Sequence, residues 1–298
     1  GMVLTMKKFI SITLAAVMFA SAALMFSSCG KTEDGGNNKI VVQTNAYFAP
    51  FEYFDGPDIK GVDVDIMNKV AEKLGREVEF TNVEFSVIID NVSAGKVCDC
   101  GAAGITVTKE REEKVDFSTP YYTSVQYVIY SADDDSIKTE DDKYVLWNTL
   151  AGKKIGVQTD TTGAIYSDGE VNATKDDPDY GYDGVLYGTG ASVASFDNAQ
   201  LAADAIGANL IDVVVVDELP AKYIADKNQN LKCLPLYYDG GDDGEDSPTE
   251  EQYAICVTKG NTELLDAINS VLADFMKKGD DGKSEIDRLL MKHMGMDS

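Results

Sequence analysis

Apolar residues along this chain follow two rhythms that take turns. Short β-prone runs such as Ile40–Gln43 give way to stretches in which apolar positions recur every three or four residues. In GVDVDIMNKVAEKLG, the residues Ile66, Met67, Val70, Ala71 and Leu74 form one helical face, with Asp63 positioned to cap its start and Gly75 to end it. A strand over 77–80 follows. The next unit repeats the scheme: Phe85 lies in a loop, Ser86 caps a short helix that runs to Ala94 and stops at Gly95, and a strand covers 98–103. A second series begins near Gly152 with the strand KKIGVQ, the loop TDTTG and a helix. It continues with a helix over 197–207, a strand over 212–216 and a helix over 219–226. A strand over 252–257 and an amphipathic helix over 262–278 close the pattern, the helix presenting Leu264, Ile268, Val271, Leu272 and Phe275 on one side. Strand and helix in alternation predict mostly parallel sheets covered by helices, and 298 residues are enough for two such α/β units.

The start of the chain breaks this pattern. Lys7 and Lys8 precede an apolar run from Phe9 to Phe26, and Ser27, Ser28 and Cys29 close it. An uncleaved membrane span needs about 20 apolar residues, so the run is close to that length. The small residues before Cys29 and the polar KTEDGGNNK after it favour an export signal over 1–28 and a flexible tether over 29–38. The resulting expectation is a lipoprotein, with Cys29 lipidated and holding an exported protein at the outer face of the cytoplasmic membrane.

Charge narrows the partners. The formal net charge is -25, and removal of 1–28 takes away two lysines and no acid. Nucleic acid and anionic lipid are therefore poor partners, and no nucleic acid is expected. Of the five cysteines, Cys98 and Cys100 share one face of a strand and read as small buried hydrophobes, while a Cys233–Cys256 bridge is left open. The single histidine, His293, reads as an exposed residue of a helical tail, which leaves neither a zinc ligand set nor a serine triad of the usual kind. The acidic loop DGGDDGEDSPTE over 239–250 has acids at loop positions 1, 5 and 12. Gly241 at the third position and the late Pro248 depart from a calcium loop, so it reads as solvated surface. No metal or cofactor is expected.

One cation stands out against this acidic background. In GITVTKEREEKVDFSTPYY, Thr106 and Thr108 leave the end of a strand on the same side, and Thr108 can cap a KEREEKV helix. Arg111 then falls in the first turn, beside the positive end of the helix dipole, where a cation is locally unfavourable. Either Arg111 pairs with a neighbouring glutamate as ordinary surface charge, or its planar guanidinium grips a carboxylate by two parallel hydrogen bonds.

At this point several stretches together resemble a family. AYFAPFEYFDGPDIKGVDVDIMNKVAEKLG, then VEFSVIIDNVSAGKVCDCGAAGITVTKEREEKVDFSTPYY, GKKIGVQTDTTG, IDVVVVDELPAKYI and EEQYAICVTKGN look like the polar amino acid substrate-binding proteins of bacterial ABC transporters, the extracellular solute-binding proteins of family 3. The resemblance covers nearly all of 39–298. It implies a two-lobed periplasmic-binding-protein type II fold, each lobe a mostly parallel sheet flanked by helices. Lobe 1 would comprise 39–121 and 254–298, the hinge 122–125 and 250–253, and lobe 2 126–249. It implies a monomer that binds an amino acid, performs no chemistry and delivers its ligand to a membrane permease.

The same resemblance assigns roles. Arg111, with Thr106 and the backbone at Gly104, would hold the ligand α-carboxylate, joined from the second lobe by Thr161 and Thr162. Asp217 would receive the α-ammonium, although an aspartate there also suits the N-cap of the following helix. Phe48 and Phe85 would sandwich the ligand side chain, and Gln158 would add a hydrogen bond. Asp160 stands where the family often has glycine. Asn45 stands where relatives selective for cationic or glutamine side chains commonly carry an aspartate, which points to a neutral polar amino acid because a buried cation needs a paired charge. The segment 167–192, rich in Gly, Asp and Tyr, exceeds the usual connection and suggests no role. Two other classes remain in view: a cyclohexadienyl or arogenate dehydratase-like enzyme on the same fold, and a ligand-sensing module.

Overall fold

The computed structural model describes residues 38–242 and 244–296. The signal expected over 1–28, Cys29 and nearly all of the tether lie outside the described residues. One mixed sheet runs through the described chain. In one half, Lys39–Thr44 lies parallel between Glu77–Asn82 and Cys100–Thr106. In the other, Lys154–Gln158 lies parallel between Ser192–Phe196 and Val213–Asp217. All five residues of Val213–Asp217 are buried, as expected for a strand covered on both faces by helices.

Two strands from distant parts of the chain connect the halves. Tyr122–Ser131 and Glu250–Val257 run antiparallel, with Tyr122 opposite Tyr253, Ser124 opposite Glu251 and Val125 opposite Glu250. Glu250–Val257 then continues beside Cys100–Thr106, while Tyr122–Ser131 continues beside Val213–Asp217 and Leu231–Tyr238. The alternating pattern predicts the parallel strands but not these antiparallel additions, because the pairing joins segments far apart in the chain, such as Tyr130 with Val213 and Tyr122 with Tyr253.

Eight helices are described: α1 Val62–Leu74, α2 Phe85–Ala94, α3 Lys109–Lys114, α4 Thr162–Asn172, α5 Ala199–Gly207, α6 Glu218–Asp226, α7 Thr262–Met276 and α8 Glu285–His293. Helix α1 ends at Gly75 in the left-handed conformation, but its start differs from expectation. Gly61 is the N-cap residue, at φ 138°, where a Cβ would come within 2.1 Å of the Phe51 carbonyl oxygen. Asp63 lies within the first turn, buried, and accepts hydrogen bonds from the Gly104 N–H at 2.8 Å and from the Tyr121 hydroxyl. Helix α2 begins at Phe85 after Glu84, not after a Ser86 cap.

His293 is not an exposed tail residue. It is 6% exposed, its Nε2 lies 2.8 Å from Asp65 Oδ2 and its Nδ1 lies 2.9 Å from the Tyr53 hydroxyl, so α8 is fixed to α1 and to the short strand Glu52–Asp55. A signal for this was the apolar stripe of the last helix, which needs a surface to cover. Cys233 and Cys256 are both free thiols: Cys233 pairs with Ile129 in the sheet and Cys256 with Gly101 and Phe117. The segment over 167–192 folds back onto α4, where the Glu170 carboxylate accepts the Val185 N–H at 2.9 Å and the Tyr238 hydroxyl at 2.8 Å, and Leu186 is buried. In the acidic 239–250 loop, Asp246 accepts the Tyr144 hydroxyl and the Gly240 N–H. Among the described residues no group of three or more potential ligands is arranged to hold a metal ion, and no helix is long and apolar enough to cross a membrane.

At the crossing strands an aromatic cluster ties the chain together: Phe51 meets Tyr253 at 5.0 Å and Tyr122 at 5.2 Å between ring centroids, both edge-on. Phe51 is fully buried. Phe51→Ala is therefore expected to lower unfolding stability by about 3 to 5 kcal/mol, read from urea denaturation of the full chain.

Candidate functional site

Helix α3 begins as the pattern predicts, with Thr108 Oγ1 accepting the Arg111 N–H at 3.2 Å. The Arg111 side chain turns back beneath the strand it follows. Nη1 donates to the Thr106 carbonyl at 2.8 Å, Nη2 donates to the Asp160 carbonyl at 3.0 Å, and the guanidinium lies 5.4 Å from the centre of the Phe85 ring. Arg111 is 8% exposed and, among the described residues, forms no ion pair. Pairing with a neighbouring glutamate therefore does not occur. Burial lowers its pKa from the ordinary arginine value, while the charges of Glu251 and Asp217 work in the opposite direction.

Asp217 ends its strand directly opposite Gln126. It occupies the N-cap position of α6, yet its side chain makes no capping bond. Oδ1 accepts Gln126 Nε2 at 2.7 Å and Oδ2 accepts the Tyr253 hydroxyl. Asp217 is 4% exposed and, among the described residues, meets no cation within ion-pair distance. Desolvation raises its pKa, and the bonds from Tyr253 and Gln126 and the field of Arg111 hold it down.

The remaining predicted residues converge on the same space. Asn45 Nδ2 donates to the Val83 carbonyl at 2.8 Å, and its Oδ1 accepts Gln158 Nε2 at 3.0 Å. This amide pair and the Arg111–Asp160 bond both join residues from the two halves of the sheet. Asp160 takes φ 60°, a conformation glycine would adopt more easily, and thereby turns its carbonyl toward Arg111. Gly104 has φ 54°, and a Cβ there would strike the Phe48 ring at 2.7 Å. Its N–H is held by Asp63, so its backbone is not a free donor for an anion. Thr161 caps α4, accepting the Ala164 N–H at 3.3 Å, and its hydroxyl donates to the Gln158 carbonyl. Phe48 packs beside Phe51 and Tyr253, while Phe85 faces Arg111.

Asn45, Phe48, Phe85, Gly104, Thr106, Arg111, Gln158, Thr161, Thr162 and Asp217 all line one pocket. Glu52 and Ala103 complete its wall. Glu52 carries no signal of this in the sequence, because PFEYF reads as part of an aromatic loop broken by Pro50 and Gly56. It is 0% exposed, and its carboxyl meets no cation, amide or hydroxyl, only the carboxyl of Asp63. Burial first, and the proximity of Asp63 second, push its pKa well above the carboxylate range. Also missed were the groups behind the pocket: Gln126, Glu251 and Tyr253, all buried. Their signal was weak, since alternation within the crossing strands marks a shared face but not what it opposes.

Two α/β halves joined by a pair of crossing strands, with one pocket drawn from both, define a two-lobed clamp. The chain belongs to the bacterial extracellular solute-binding proteins, family 3, whose model matches residues 40–295. It is similar to the arginine-binding extracellular protein ArtP of Bacillus subtilis, 27% identical with 92% of this chain and 95% of that protein covered. A probable histidine-binding protein of Campylobacter jejuni is 29% identical, covering 80% of this chain and 84% of its own length. Among solved structures, an ancestral arginine-binding protein bound to glutamine superimposes with a TM-score of 0.67 at 31% identity, over 87% of this chain and 98% of its own. The fold is thus that of the two-lobed periplasmic binding proteins, and the family is one of exported solute binders.

Proposed function

We propose that this protein binds one amino acid between its lobes and delivers it to an ABC transporter permease. The carrying observation is a buried guanidinium without an anion and a buried carboxylate without a cation, facing the same pocket. A zwitterion complements both at once: its carboxylate meets Arg111 and the Thr161–Thr162 turn, and its ammonium meets Asp217. Arginine-binding and histidine-binding relatives and a glutamine-bound neighbour support an amino acid as the class. The lobes in this reading are 39–121 with 254–298 and 126–249, hinged at 122–125 and 250–253. Because Arg111 and Asp217 belong to different lobes, an amino acid that bridges them binds the closed form more tightly than the open one. A lipid on Cys29 would keep the monomeric binder close to its permease.

For the side chain we favour a neutral polar group, since Asn45 and Gln158 offer amides and no charge. A cationic side chain is the second reading, favoured by Glu52, whose carboxyl has only another acid, Asp63, beside it and would ionise next to a cation. An enzymatic reading of the dehydratase kind has less support, because family and relatives alike are described as binders.

Calorimetry with L-glutamine and L-arginine tests both levels. Arg111→Ala is expected to cost about 3 kcal/mol of binding, roughly 100-fold in affinity, for whichever of the two binds the wild type. Unchanged affinity in this variant would count against the site. Glu52→Gln is expected to leave glutamine binding within about threefold, since a protonated glutamic acid and a glutamine are alike in charge. A loss of tenfold or more confined to arginine establishes the cationic reading instead.

A further inference from the structure

The register of the crossing strands puts Glu251 and Tyr253 on one face, with Gln126 the diagonal neighbour of Glu251 on the partner strand. Gln126 Nε2 spends its two hydrogens on two carboxyl groups, Asp217 Oδ1 at 2.7 Å and Glu251 Oε2 at 2.9 Å. Asp217 therefore has a donor on each oxygen, whereas Glu251 Oε1 is buried without a partner in a side chain that is 3% exposed. Among the described residues Arg111 is the one guanidinium that acts on both acids, and it forms an ion pair with neither. Two buried carboxylates linked by one amide cannot both carry charge cheaply, and Asp217, with a donor on each oxygen, is the one left ionised.

We propose that Glu251 keeps a proton while Asp217 faces no cation, and releases it to solvent when an amino acid's ammonium reaches Asp217. This rests on the amino-acid reading above. The exchange conserves charge in the buried cluster: one positive unit arrives on the ligand nitrogen as one proton leaves the Glu251 carboxyl, and no other bond changes. The groups facing Glu251 agree with this. Asp217 at its strand end and burial itself disfavour the anion, while Thr162 and Tyr166 of α4, Gln126 of the crossing strand and Arg111 of α3 favour it. Tyr253, on the same strand, directs its hydroxyl to Asp217 instead. The outcome is a Glu251 pKa pushed up to about 8, by burial first and by Asp217 second. Because the occupied site holds fewer protons, affinity rises with pH, by at most about tenfold per unit, and levels off above about pH 8. Glu251 acts through Gln126 and Asp217, as a positioning residue behind the ligand contact.

The test is a carbon NMR titration of the full chain carrying labelled glutamate side chains, between about pH 5 and pH 10. One carboxyl is expected to titrate near 8, and its resonance is expected to be missing from Glu251→Gln. At about pH 7, a mixture of the twenty standard amino acids should move that resonance to its ionised position and raise the thermal midpoint of the wild type. A Glu251 signal that titrates in the ordinary carboxylate range overturns the proposal. So does one that stays protonated while the midpoint rises. A mixture that leaves the wild-type midpoint where it was overturns the amino-acid reading and the proposal together, and is recognisable as that failure.

Discussion

Burying a guanidinium and a carboxylate around one pocket without letting them touch is costly, because each loses its water and neither gains the other's full charge. The rest of the structure is arranged around that constraint. Arg111 is held by two backbone carbonyls and an aromatic ring, groups that fix its direction without neutralising it. Asp217 is held by an amide and a phenol, which do the same for the opposite sign. The charges survive burial through neutral dipoles, and their Coulomb partners have to come from elsewhere.

What makes this possible is the pairing of two strands from opposite ends of the chain. Their register sets Gln126 opposite Asp217 and aligns Glu251 and Tyr253 behind it, so the support of the Asp217 carboxylate is built from the element that joins the two halves of the sheet. Phe51 and Tyr122 pack against Tyr253 and hold the ring whose hydroxyl reaches Asp217. Movement of one lobe against the other therefore cannot leave the pocket unchanged, because packing and hydrogen bonds couple the crossing strands to its wall.

Much of this was legible in the sequence. The alternation of strand and helix predicts the α/β class, Thr108 caps α3 as its position implies, and the family resemblance names ten residues that the structure brings around one pocket. Local pattern failed where a residue's partner is distant. Asp63 has every mark of a helix cap and instead holds Gly104 and Tyr121 across the core. His293 looks solvent-bound until α8 is seen against α1. Glu52, an acid among aromatics, is legible as a pocket residue only once the sheet delivers its wall. The resemblance offers the Gly104 backbone to the ligand, but Asp63 takes its N–H, and no spacing rule contains that bond.

The central claim is that the pocket answers to both ends of an amino acid. Thermal unfolding of the full chain against the twenty standard amino acids, followed by the best ligand's α-amide and its des-amino acid, tests it directly. The account predicts a clear rise in midpoint for at least one amino acid and the loss of that rise in both analogues. An amide or des-amino analogue that stabilises the protein as well as the parent amino acid would contradict it.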